Sequence, residues 1–93
     1  MIERRPDCLR VTAPMVMANA CGLLEAGRSA FREPRETVDL GAVTEADSSA
    51  LAVMLGWVRA AREQGLQLAF TGTPAGVRSL AELYGVVELL PLA

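Results

Sequence analysis

The apolar positions of this chain change their period several times, and each change marks an element. Residues 7–13 alternate, with Leu9, Val11 and Ala13 on one side, as in a half-buried strand that Pro14 interrupts. From Ala18 the spacing becomes helical, with Ala20, Leu24, Gly27 and Phe31 along one face and Glu25, Arg28 and Arg32 on the others. A polar break, Glu33-Pro34-Arg35-Glu36, leads into a short buried strand over Thr37–Leu40. The pattern then predicts a long helix from Ser48 to Gln64, capped by Asp47 or Ser48 and stopped by Gly65. Leu66, Leu68 and Phe70 share one face of a further strand ending at Thr71. Thr73-Pro74 opens a helix carrying Val77, Leu80, Ala81 and Tyr84, which Gly85 stops, and Val86–Leu90 reads as a last short strand before Pro91.

Strands separated by helices need crossover connections, so the order implies an α/β fold with a mixed sheet of about four strands and helices packed against it. A chain of 93 residues with 52% hydrophobic content suits one domain spanning the whole of it. At this size roughly 60–65% of the unfolded surface is buried, and one core must use the apolar residues efficiently.

The long helix carries more apolar surface than a core stripe requires. Ala50, Leu51, Met54, Val58 and Ala61 make the natural stripe. Val53 and Trp57 form a second ridge beside it, and Ala52, Gly56 and Ala60 recur at intervals of four on the face expected to turn outward. Charge is confined to Arg59, Arg62 and Glu63 in the last turns. A helix that is apolar or small on nearly every side meets a partner or lies deep in a core, and the row of small residues would let another backbone approach closely. Trp57 is of the type most enriched at interface hot spots. Ala52, Val53, Gly56, Trp57 and Ala60 are therefore expected as a docking face. The alternative is that Trp57 packs under the chain terminus and the alanines are only good helix formers.

The chemistry available is narrow. All nine basic residues are Arg, and the chain has neither Lys nor His, which removes the commonest general base and metal ligand together with any P-loop lysine. Cys8 and Cys21 lie far apart without metal or redox spacing and are expected to be reduced structural residues. No catalytic residue, metal ligand or cofactor site is expected. A net charge of −2, with no basic run longer than Arg4-Arg5, argues against nucleic acid as a partner. The polar start at Met1–Pro6 lacks a signal-type apolar core. The longest apolar stretch, Ala50–Val58, is well short of the ~20 residues of a membrane span. A soluble cytoplasmic protein without direct membrane insertion is expected.

One corner stands out. The step from Val38-Asp39-Leu40 through Gly41-Ala42-Val43 into Asp47-Ser48-Ser49-Ala50 places two hydroxyls and a carboxylate where a strand and loop hand over to the long helix. Asp47 and Ser48 are good caps. A hydroxyl at a helix start is also placed for phosphorylation or for contact with a partner. A serine nucleophile acting alone is excluded by the lack of His and Lys, since Asp39, Glu45 and Asp47 are the only nearby carboxylates.

These residues, with the strand Leu66–Phe70 and the ending Leu80-Ala81-Glu82-Leu83-Tyr84-Gly85, resemble a STAS domain over nearly the whole chain. The family includes anti-sigma-factor antagonists and sulphate-transporter tails. In the antagonist branch an Asp-Ser-Ser-Gly signature carries a phosphorylated second serine, a position held here by Ser49, with Ala50 in place of the usual glycine. In the small STAS subunit of the Mla phospholipid-transport ABC system the first hydroxyl position, usually threonine, matters for function. Ser48 holds it here. The early ending after Leu89-Leu90-Pro91 and the apolar helix are closer to the second branch. That resemblance implies a non-enzymatic subunit docked on a cytoplasmic ABC ATPase, peripheral to the inner membrane through the complex and serving outer-membrane lipid asymmetry. It leaves homodimerisation open. The other branch implies an antagonist in a partner switch, with a serine kinase acting on Ser49.

Overall fold

Two parallel crossovers and one antiparallel hairpin build the sheet of the computed structural model, which describes residues 1–93. The elements in chain order are β1 (Ile2–Arg4), β2 (Leu9–Val11), α1 (Ala20–Ala30), β3 (Arg35–Asp39), α2 (Ser49–Glu63), β4 (Gln67–Thr71) and α3 (Ala75–Leu83), with 3₁₀ turns at Met17–Asn19 and Val87–Leu89. The strand order is β1-β2-β3-β4. β1 pairs antiparallel with β2, while β2 with β3 and β3 with β4 are parallel. Both crossovers step in the same direction, so right-handed connections place α1 and α2 side by side on one face of the sheet. No helix is long and apolar enough to cross a membrane.

The sheet register sorts side chains cleanly. Leu9, Val38 and Phe70 form one row across neighbouring strands, and all are buried beneath the helices. The alternating positions Arg10, Asp39 and Thr71 form the matching row on the open face, where Arg10 and Asp39 pair at 3.3 Å. Period-two alternation thus separates a dry face from a solvated one.

The sheet of four strands follows the expected architecture, with two changes of detail. The polar N-terminal segment supplies an edge strand, Ile2, Glu3 and Arg4 pairing with Val11, Arg10 and Leu9. Three residues are too few to show a period, and an edge position favours charge. The strand expected at Val86–Leu90 does not form. Val86 N–H turns back to the Ala81 carbonyl at 2.9 Å, closing α3, and the chain reaches the β4 edge only at Leu92, which bridges Phe70 in parallel.

Trp57 sits at the centre of the packing. It has no exposed surface, its indole N–H donates to the Leu23 carbonyl of α1 at 3.0 Å, and its ring stacks on Phe70 of β4 with centroids 6.4 Å apart. The docking face expected around it is therefore corrected. Val53, Trp57 and Ala60 are buried, and Val58 of the expected core stripe is half-exposed instead. The physical reason is that α2 packs on α1 and α3 as well as on the sheet, so two adjacent ridges are covered. The small-residue row does admit a second helix closely, and that helix is α1: Leu24 lies against Gly56.

Gly27 makes this approach geometrically allowable. A Cβ there would lie 2.6 Å from Trp57 Cδ1 and 2.7 Å from Cε2, well inside van der Waals contact. On helix propensity alone Gly27→Ala should stabilise α1 by about 1 kcal/mol. The clash reverses the sign, and a net loss of about 2–3 kcal/mol is expected. Thermal denaturation should show it as a Tm lowered by about 10–20 °C for a domain of this size. An unchanged or higher Tm would disprove the wedge.

A carboxylate fastens the C-terminal end of α1. Glu36 is buried on β3 and accepts hydrogen bonds from Arg4 of β1 at 2.8 Å and from the N–H groups of Arg32 and Glu33 at 2.9 and 3.0 Å. Arg4 also donates to the Ala30 carbonyl at 2.7 Å, so one ion pair joins β1, β3 and the end of α1. Burial by itself would raise the Glu36 carboxyl, but the bonds from Arg4, Arg32 and Glu33 outweigh it and hold the group below the ordinary glutamate range. A lowered native pKa gives stability that is full above the unfolded value of about 4.3 and is lost as pH falls through the native value. Glu36→Gln should cost about 1–2 kcal/mol at neutral pH, a figure reduced by the partial exposure of Arg4. In denaturant titrations the gap between parent and variant should close as pH drops below about 4.

Candidate functional site

Asp47, and not Ser48, organises the start of α2. Its Oδ1 accepts the Ser49 backbone N–H at 2.9 Å and also the Ser49 hydroxyl, and its carbonyl accepts the Ala50 N–H at 3.0 Å. These bonds satisfy donors that the first helical turn would otherwise leave open. Ser48 already has helical backbone angles, φ −62° and ψ −19°, and its side chain makes no capping bond. The two serines are thus differentiated. The Ser48 hydroxyl points from an exposed residue with no protein partner, while Ser49 is half-buried and its hydroxyl is committed to Asp47.

The same carboxylate reaches back to the connection after β2. Asp47 Oδ2 accepts the Met17 N–H at 3.2 Å. A parallel bridge between Met15 and Ala46 lies alongside, with Met15 N–H donating to Glu45 O at 2.9 Å and Asp47 N–H to Met15 O at 3.1 Å. The β2–α1 and β3–α2 connections therefore meet at the carboxyl ends of the parallel strands, the edge at which open α/β sheets gather their functional loops. The Ser49 hydroxyl, then the Ser49 N–H and the Met17 N–H, hold the Asp47 carboxyl below the usual carboxylate range. The ionised carboxylate orients the Ser49 hydroxyl as a donor toward itself.

Of the residues singled out in the sequence, the structure brings Asp47, Ser48, Ser49 and Ala52 to this corner and its adjoining helix face. Ser48 and Ala52 are exposed. Gly56 is half-covered by Leu24, and Val53, Trp57 and Ala60 belong to the core. The corner also contains a residue that sequence reading missed. Met17 is 77% exposed, and its backbone is the one Asp47 holds. The available signal was an apolar residue after Pro14 that fits neither the preceding strand alternation nor the helical stripe.

Solved structures of the same fold span nearly the whole chain. One is a Thermotoga maritima protein assigned as an anti-sigma factor antagonist, with 14% identity and a TM-score of 0.76 over 99% of this chain and 83% of that one. A sulfate transporter family protein from Wolinella succinogenes shares 14% identity at a TM-score of 0.69, covering 89% of this chain and 71% of its own. An anti-sigma-factor antagonist (STAS) domain protein from Planctomyces limnophilus shares 16% identity at a TM-score of 0.67, covering 99% and 86%. No curated protein matches the chain. These structures establish the fold. The family model described as "Mlab, STAS domain" matches residues 2–91, and the chain accordingly belongs to the STAS domain family, of the MlaB type.

Proposed function

We propose that this protein is a non-enzymatic regulatory subunit that docks on the cytoplasmic ATPase of an Mla-type ABC phospholipid transporter and stabilises it, in the service of outer-membrane lipid asymmetry. The observation that carries the reading is the MlaB-type family match across residues 2–91. The geometry supports a docking role. An unpartnered Ser48 hydroxyl, the small Ala52 one turn further along α2 and the apolar Met17 form an exposed patch on a backbone that Asp47 braces from two sides. A patch of small and apolar groups around one free hydroxyl suits close packing by a partner surface. Ser48 corresponds to the hydroxyl position that matters in the Mla branch. The protein sits in the cytoplasm and meets the inner membrane through the transporter.

A second reading has its own support. The Asp47–Ser49 pair places an oriented hydroxyl where a kinase of a partner switch would act, and two of the similar structures are described as anti-sigma-factor antagonists. A phosphoryl group on Ser49 adds about −1.5 to −2 charges directly against the Asp47 carboxylate, which would break the brace and expel a partner.

Co-expression with the transporter ATPase, followed by affinity purification and mass spectrometry of Ser49, tests both. Ser48→Gln and Ala52→Arg are each expected to cut recovery of the ATPase at least tenfold, about 1.4 kcal/mol, while leaving thermal stability nearly unchanged. Glu82→Arg on α3, away from the corner, should leave recovery intact. Phosphorylated Ser49 with a co-purifying serine kinase would replace the transporter reading with the partner switch.

A further inference from the structure

At the other end of α2 lies a second surface, unrelated to the Asp47 corner. Ser48 and Arg62 are fourteen positions apart, about 21 Å along a helix axis. Here Val58 and Arg62 of α2, Leu66 and Leu68 at the start of β4 and Leu89 of the C-terminal turn line a cleft of about 410 Å³. It continues into a groove over Leu55 and Arg59. Leu89 is 57% exposed on the rim.

The floor of this cleft contains an open strand edge. Phe70 N–H donates to the Pro91 carbonyl at 2.9 Å and Phe70 C=O accepts from Ala93 N–H at 2.8 Å, so Phe70 turns its peptide groups away from β3. Gln67 N–H and Thr71 C=O turn toward β3, bonding Pro34 and Leu40. Peptide groups of a strand alternate sides at each residue, so Leu68 faces outward as Phe70 does, and no backbone group takes up its N–H or C=O. Residues 91–93 run parallel to β4 and away from Leu68, leaving that donor and acceptor over the cleft.

The charges select an occupant. Neither Arg59 nor Arg62 belongs to any of the three ion pairs of the protein, whereas Glu88 sits on the opposite wall, formed by the C-terminal turn. Two arginines without an ion pair beside a largely apolar cleft favour an occupant that carries a carboxylate. An extended segment of another protein meets all three features. Its backbone takes the Leu68 N–H and C=O, apolar side chains two residues apart enter the cleft, and a carboxylate reaches Arg62. We propose that the β4 edge at Leu68 is a docking site for an extended, acidic-apolar peptide segment of a partner protein.

Panning a display library of random heptapeptides against the whole chain tests this. Selected peptides, synthesised with a fluorescent label and titrated by anisotropy, are expected to share apolar residues at i and i+2 beside an Asp or Glu. Arg62→Glu, on an exposed residue whose side chain makes no ion pair or hydrogen bond in the protein, should weaken them at least tenfold. Ser48→Gln should change affinity less than twofold. In amide NMR the Leu68 signal should shift and exchange more slowly with peptide bound. A failure to enrich any consensus, a consensus without an acid or with helical spacing, indifference to Arg62→Glu, or an unmoved Leu68 amide would each overturn the proposal. Concentration-dependent self-association that protects the Leu68 amide without peptide would overturn it in favour of a dimer. Because the corner at Ser48 is tested separately, either site can fail without the other.

Discussion

The structure depends on one wedge. Trp57 fills the space where α1, α2 and β4 converge, and its indole N–H is satisfied by the Leu23 carbonyl, so the largest side chain in the protein is buried without an unpaired polar atom. A tryptophan can be buried this completely only if its N–H finds a partner and its ring finds a gap. Gly27 provides the gap by presenting no side chain to the indole. The two helices are thereby locked side by side in a single layer. With that layer in place, the row Leu9, Val38 and Phe70 is sealed on the sheet face beneath it.

The wedge also determines what the surface offers. Turning Trp57, Val53 and Ala60 inward rotates α2 so that Ser48, Ala52, Arg59 and Arg62 look outward from one end of the helix to the other. At the N-terminal end, Asp47 ties this exposed line to the β2–α1 connection through Met17, so a partner meets a braced backbone and not a loose loop. The cost of ordering a binding surface is then already met by folding, which is how pre-organised sites gain affinity. The Glu36–Arg4 clamp performs a similar service at the far end of α1, holding the edge strand β1 onto the sheet.

Much of the fold was legible because local pattern and tertiary burial agree. The alternation Leu9, Val11 and the helical spacing of Val77, Leu80 and Ala81 mark elements whose one buried face is set by one neighbour. The corner was legible for the same reason: an Asp-Ser-Ser start before a helix has few local geometries, and Asp47 proved to be the cap. Legibility failed where two neighbours share a residue. Trp57 and Val53 looked surplus to a single core stripe, yet α2 buries two ridges because α1 lies against it. It failed again at the ends. Ile2–Arg4 is too short to show a period, and Val86–Leu90 has strand composition but is turned aside by the closure of α3.

By itself the sequence determined the order of the strand and helix units from β2 to α3, the family, and the presence of one hydroxyl-and-carboxylate corner, because these follow from periods, caps and short motifs within single segments. How Asp47 braces the corner to the β2–α1 connection, and which side of α2 faces water, were decided only by the tertiary structure. Both depend on atoms thirty or more residues apart, the Met17 N–H at Asp47 and the Leu23 carbonyl at Trp57, whose meeting no local period encodes.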